Sequence, residues 1–260
     1  MLAVDGPLDA EEVRSFVARG FVALRGAFPA ELAAECRAHL WDRLDADPDD
    51  PETWASPVLR LPSQHGEPFR RAANTAGLHA AFDQLVGPGR WVAHPFLSGS
   101  IAVRFPVAGD PGDDGWHVDG SFELDGTYGL NLRSDGRSLL MLFLFSDVGA
   151  DDAPTRLRVG SHLDVPAALA GAGEGGRRFD DVVGRLPNVH EGRLALATGR
   201  AGDVYLCHPF LVHAAQRHRG RSPRLLAQPG LLFDGRLELE RADGAYSPVE
   251  EAVRVGLGHG

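Results

Sequence analysis

Gly115-Trp116-His117-Val118-Asp119-Gly120 places an imidazole and a carboxylate two residues apart. On an extended strand alternate side chains share a face, so His117 and Asp119 point one way and Val118 the other. Two histidines and one carboxylate on one side of an ion form the facial triad that holds non-haem iron, and this stretch supplies two of the three. Alone the pair is a weak signal. With 11 His and 23 Asp in 260 residues, about one His-x-Asp arises by chance, and His162-Leu163-Asp164 is a second. The third ligand and the setting must come from the rest of the chain.

The length fits one large domain with a substantial core. Its expected parts are an N-terminal helical part (1–90), a β core (91–235) and a C-terminal extension (236–260). A formal charge of −10 argues against a nucleic-acid surface, which needs basic groups to neutralise phosphates. Cys36 and Cys207 form neither a CxxC pattern nor a disulfide framework. Residues 1–9 show no basic start followed by an apolar run, and no apolar run approaches about 18 residues. The expectation is a reduced, cytoplasmic protein with no membrane partner.

Asp9 is placed to cap a helix over 9–19, a short strand follows at 21–24, and residues 29–44 read as a second amphipathic helix. Residues 45–68 are acidic and broken by five prolines, which predicts a long surface connection. A helix is expected at 74–86. The pattern then changes to short strands at 91–94, 100–105, 116–122, 139–148, 155–159, 193–197, 203–213 and 224–233. Helices followed by about eight strands imply helices packed outside a β-sandwich or small barrel. Gly171-Ala172-Gly173-Glu174-Gly175-Gly176 has a GxGxxG spacing but lacks the preceding strand and following helix of a dinucleotide site, so it reads as a loop.

Two histidines, His208 and His213, lie in the apolar run 203–213. Five apart, they face opposite sides of a regular strand unless Pro209 interrupts it, and chemistry alone does not choose between them. Arg224 opens the next apolar strand. A guanidinium entering a barrel interior needs a carboxylate, either from the protein or from a dicarboxylate co-substrate.

The ordered set Gly115-Trp116-His117-Val118-Asp119, Pro154-Thr155-Arg156-Leu157-Arg158-Val159-Gly160-Ser161-His162, Gly202-Asp203 through His208-Pro209 to His213, and Arg224 resembles the phytanoyl-CoA dioxygenase family. That resemblance implies a mainly β fold with flanking helices, built on a double-stranded β-helix core of the jelly-roll or cupin type. It further implies Fe(II), 2-oxoglutarate and O2 as cofactor and co-substrates. By the family's eleven-residue interval from distal histidine to arginine, His213 rather than His208 joins His117 and Asp119 as metal ligand, and Arg224 holds the 2-oxoglutarate tail. Pro154 to His162 becomes a structural turn and His208 a neighbour behind the site. The sequence departs from the family at Ala215, where many members have serine or threonine. Arg104 or Thr155 is expected to complete the co-substrate anchor.

The reaction implied is decarboxylation of 2-oxoglutarate to succinate and CO2, coupled to oxidation of a C–H bond in a small molecule of specialised metabolism. Related halogenases replace the carboxylate ligand by Gly or Ala, so Asp119 favours hydroxylation, or an outcome such as desaturation or ring formation, over halogenation. The acidic surface makes acyl-CoA thioesters less attractive substrates. Loops 107–114, 123–137 and 171–178 are candidates for the mouth, with Trp116, Tyr128, Asn131 and Arg133 lining it. Two other classes remain. A cupin-like iron enzyme without an oxo-acid predicts a dispensable Arg224, and a non-catalytic β-sandwich predicts no metal loss on His117→Ala. Monomer and homodimer are both open.

Overall fold

The computed structural model describes residues 6–187 and 191–259; residues 1–5, part of the N-terminal stretch read above for a basic start and an apolar run, lie outside them. Helix α1 (Ala10–Arg19) begins at a reciprocal cap in which Asp9 accepts from the Glu11 and Glu12 amides and Glu12 accepts from the Asp9 amide. It stops at Gly20, whose φ of 86° is left-handed. Strand β1 (Phe21–Leu24) and helix α2 (Ala30–Trp41) follow, then β2 (Val58–Leu61), α3 (Glu67–Ala73) and α4 (Ala76–Leu85).

The large sheet contains β1, β2, β3 (Ile101–Arg104), β6 (Leu139–Leu144), β10 (Val204–Cys207) and β12 (Arg224–Ala227), ordered β1-β10-β6-β12-β3-β2, with β13 (Gly230–Leu231) also pairing β6. A small sheet is ordered β11 (His213–Ala214), β7 (Arg156–Arg158), β9 (Leu194–Leu196). The wholly apolar β6 has two buried faces, and its alternation sorts them. Met141 and Phe143 join the helices in one core, with Val103, Leu206 and Leu225. Leu140, Leu142 and Leu144 join Leu157 of the small sheet in a second core, with Tyr205, Cys207 and Leu226. Two sheets therefore enclose an interior while helices cover the back of the larger one, which is the expected fold class. On β12 the inward parity belongs to Leu226 and hence to Arg224; on β3 it belongs to Ala102 and Arg104.

Several boundaries differ from the sequence reading. Residues 45–68 are more than a surface connection, because β2 forms an edge strand against β3 and α3 begins at Glu67. Prolines 57 and 62 lie just outside β2 and Pro68 at the start of α3, positions where a missing N–H is tolerated. The expected strands at 91–94 and 116–122 are absent: Trp91 and His117 make single bridges, to Phe233 and His213. The runs 203–213 and 224–233 are each split near a proline, Pro209 and Pro229. The first break carries the chain from the large sheet into the small one. Loops 123–137 and 171–178 contain strands instead: β4 (Phe122–Leu124), β5 (Thr127–Leu130) and β8 (Arg177–Arg178) form a third sheet.

Helices α5 (Val165–Leu169) and α6 (Phe179–Val183) lie in the connection between β7 and β9. Helix α7 (Pro248–Gly256), capped by Ser247 and Glu250, packs on α1 and α5 through the buried Val249, Ala252 and Val253. It closes the helical layer behind the large sheet.

Candidate metal centre

His117 and His213 are 96 positions apart in sequence and direct partners in space. The His117 amide donates to the His213 carbonyl at 3.0 Å, and the His213 amide donates to the His117 carbonyl at 2.9 Å. This reciprocal pair is what brings the two imidazoles side by side, with ring centroids 4.3 Å apart. Two residues on, Asp119 directs Oδ1 to 3.7 Å from both Nε2 atoms. One ligand atom from each of the three residues lies within 4.8 Å of the other two.

The second ring nitrogens fix the tautomers. His117 Nδ1–H donates to the Gly115 carbonyl at 2.9 Å, and His213 Nδ1–H donates to the Leu211 carbonyl at 3.0 Å. Each Nε2 is thereby left as a lone pair aimed at the shared space, the arrangement a metal requires. For His213 that lone pair is buried without any partner, an arrangement that is unfavourable unless an ion meets it. Burial first, and His117 in addition, hold the His213 ring neutral, down to about 4. Burial alone raises the Asp119 carboxyl, but its surroundings, in which Arg137 is permanently charged, outweigh it and keep it below the usual range. A neutral imidazole and an ionised carboxylate are the forms that bind metal. The side chains of His117 and Asp119 are about one-third exposed (34% and 31%) while His213 is 1% exposed, so the protein covers one side of the site and leaves the other open.

Arg137, just before β6, approaches from behind. Its Nη1 lies 3.4 Å from Asp119 Oδ2, and its Nη2 donates to the Asp119 carbonyl.

Deeper inside, Arg224 and Arg104 are cross-strand partners on adjacent strands and are both 2% exposed. Like charges placed opposite one another in a sheet repel. Asp113 pairs with Arg104 and with Arg60 of β2, whereas Arg224 has no ion pair among the described residues and donates through Nη1 to the Ala153 carbonyl at 2.7 Å. Three guanidiniums thus face one carboxylate. The Nε atoms of Arg104 and Arg224 and Oδ1 of Asp113 are buried without partners. Burial, and then Arg104, push Arg224 down to about 9, so it is still charged at neutral pH. An anion is what this pocket lacks.

The other residues singled out in the sequence separate cleanly. Thr155 is buried, and its carbonyl accepts from the Ala197 amide at 2.9 Å in the small sheet. Ala215 contributes only its carbonyl, to Arg156. His208 is fully buried behind the site, accepting from the Phe210 amide at Nδ1 and donating from Nε2 to the Val249 carbonyl of α7. His162 Nε2 donates to the Val17 carbonyl, far from the triad in role. Trp116 lies beneath the Arg156 and Arg158 guanidiniums, and Tyr128 is 63% exposed. Asn131 and Arg133 bond to Glu174 and Leu237 carbonyls and are structural on that evidence. Sequence reasoning missed Arg60, Arg137 and Asp113. Only Arg60 left a trace, as the lone charge in an apolar Val58–Leu61 run bounded by prolines.

Comparison with known proteins places the fold. The structure is similar to the non-haem alpha-ketoglutarate-dependent carbocyclase SnoK from nogalamycin biosynthesis, with 21% identity over 87% of this chain and 84% of that one and a TM-score of 0.58. It is similar to HygX from Streptomyces hygroscopicus, solved with nickel, 2-oxoglutarate and hygromycin B, at 22% identity over 92% of this chain and 96% of that one, with a TM-score of 0.56. It is also similar to EctD from S. alaskensis with 2-oxoglutarate and 5-hydroxyectoine, at 20% identity over 90% and 79% and a TM-score of 0.58. Among curated proteins no sequence matches. The family profile described as Phytanoyl-CoA dioxygenase (PhyH) matches residues 3–226. The chain belongs to the phytanoyl-CoA dioxygenase family.

Proposed function

We propose that this protein is an Fe(II)- and 2-oxoglutarate-dependent oxygenase that oxidises a C–H bond of a small molecule, with hydroxylation as its main outcome. His117, Asp119 and His213 are the metal ligands, and Arg224 with Arg104 receives the distal carboxylate of 2-oxoglutarate. The observation that carries this reading is the convergence of two Nε2 lone pairs and one carboxylate on a single space, with an anion-deficient arginine pocket on the interior face of the neighbouring sheet.

When bound, iron with 2-oxoglutarate and dioxygen supplies the oxidising chemistry, releasing succinate and CO2. The protein's contribution is arrangement. Three ligands on one side leave the other positions to the co-substrates. Arg104 takes over from the hydroxyl that Ala215 does not provide, because it stands beside Arg224 with an unused N–H, whereas Thr155 lies just before β7 with its carbonyl bonded to the Ala197 amide. Keeping Asp119 as a ligand leaves no room for a halide in its place and favours oxygen insertion. SnoK being a carbocyclase indicates that ring closure is compatible with this fold.

The substrate reading, a small molecule of specialised metabolism, is supported by neighbours from nogalamycin biosynthesis and with hygromycin B bound, and by the acidic net charge. Among the described residues no helix is long and apolar enough to cross a membrane.

The test is Fe(II)-dependent turnover of 2-oxoglutarate. Succinate is expected from the wild type, with none from His213→Ala. Oxygen consumption without succinate, unaffected by Arg224→Met, would instead select the iron enzyme that uses no oxo-acid.

A further inference from the structure

We infer that Arg137 is a positioning residue that holds Asp119 as a one-oxygen metal ligand. This rests on the assignment of His117, Asp119 and His213 as the metal site. The two carboxylate oxygens are divided between different neighbours: Oδ1 faces both imidazoles at 3.7 Å, while Oδ2 faces Arg137 Nη1 at 3.4 Å. The other arm of the guanidinium, Nη2, bonds the carbonyl of the same residue. One planar fork therefore grips both the side chain and the main chain of Asp119, and a carboxylate held at both points is not free to rotate about its own axis. That restriction matters chemically. A carboxylate that swings to offer both oxygens occupies one of the three positions that 2-oxoglutarate and dioxygen need.

Arg137 is itself built in. Its side chain is 10% exposed, and among the described residues Asp119 is its one ion-pair partner. Its amide donates to the Ser134 carbonyl and its carbonyl accepts from Ser134 Oγ, which closes the turn before β6 on both sides. Gly230 leaves the side chain its path: a Cβ there would lie 2.7 Å from Arg137 Cδ and 3.2 Å from Cγ. Gly230 has no left-handed φ to explain the glycine, so the space it provides is used by Arg137. Because this arginine reaches the metal ligand and neither the metal nor a substrate, its effect passes through Asp119.

The experiment compares wild type, Arg137→Met, Arg137→Lys and Gly230→Ala, each checked for folding by circular dichroism. Co(II) affinity is measured by calorimetry without co-substrate. 2-Oxoglutarate is titrated anaerobically into the Fe(II)-loaded protein and followed by the visible charge-transfer band. We expect Arg137→Met to weaken Co(II) binding about 10-fold or more, in the range for groups that orient a ligand, and to weaken band-detected 2-oxoglutarate binding as well. Arg137→Lys, which keeps charge but not the fork, should recover less than half of the loss in free energy. Gly230→Ala, which displaces the fork without removing it, should reproduce the direction of both changes and serves if Arg137→Met does not fold. Variants that melt lower but keep both wild-type affinities overturn the inference and leave Arg137 a packing residue. A wild type whose Co(II) affinity is unchanged by His213→Ala overturns the metal site itself, a separate failure.

Discussion

His208 and His213 stand five residues apart in one apolar run, and what their ring nitrogens touch gives them opposite roles. Both nitrogens of His208 are engaged by the backbone, while His213 keeps Nε2 unpartnered beside Asp119. His213→Ala should therefore abolish Co(II) binding with little loss of metal-free stability. His208→Ala should leave metal affinity intact and lower unfolding free energy by about 2–4 kcal/mol, from a cavity and two lost hydrogen bonds. Calorimetry and urea denaturation on both variants check the pair of signatures. Arg224 carries a similar sign contrast. Arg224→Met removes a buried charge opposed by Arg104, so the protein without co-substrate should melt higher, while KM for 2-oxoglutarate should rise about 10- to 100-fold for the loss of charged hydrogen bonds. At this scale the sequence shows the His117–Asp119 pair directly. It leaves His213 against His208 to family spacing, because Pro209 breaks the alternation that sorts residues between the faces of a strand. Arg137 and Asp113 were beyond reach, since each enters from a loop whose direction no periodicity encodes.

The segment between β3 and His117 carries Asp113 into the arginine pocket, where it pairs with Arg104 and Arg60. Asp113→Asn should lower the melting temperature of the protein without co-substrate, because three guanidiniums then share no carboxylate. It should also enlarge the rise in melting temperature produced by saturating 2-oxoglutarate. Equal rises in wild type and variant would show that Asp113 is not part of this charge balance. Elements with strong local signals were legible: the Asp9 cap, β1 and the apolar β6 all sit where the sequence puts them. The hairpin of β4 and β5 also had a signal that the sequence reading passed over. Its Asp125-Gly126 connection has φ of 49° and 76°, the two left-handed residues of a tight hairpin turn. Strand β2 was obscured by its flanking prolines, which an edge position accommodates. The strand expected at 116–122 gave way to a single bridge because the chain leaves the small sheet after His117 and runs into that hairpin.

At the scale of the molecule, the alternation of β6 between two cores makes the fold readable from one strand once its partners are known. The same enclosure makes the protein acid-sensitive. Burial pushes His94 and His162 down to about 4 and His208 well below its ordinary value, where His162 adds to the effect. In the unfolded chain these rings take up protons near 6.5. The unfolded state therefore binds more protons below that pH, and stability falls as the pH drops from about 6.5 towards 4, by about 1.4 kcal/mol per pH unit for each ring. Urea midpoints should be markedly lower at pH 5 than at pH 7.5; equal midpoints would mean that these rings are protonated in the folded state.

The account depends above all on residues 117, 119 and 213 surrounding one ion within reach of the 224 guanidinium. Anaerobic addition of Fe(II) and then 2-oxoglutarate, followed in the visible spectrum, tests that arrangement most directly. A weak charge-transfer band that requires both additions, survives His208→Ala and disappears with His213→Ala is the predicted result. A protein that gives no band at saturating iron and 2-oxoglutarate, or whose band persists in His213→Ala, would contradict it.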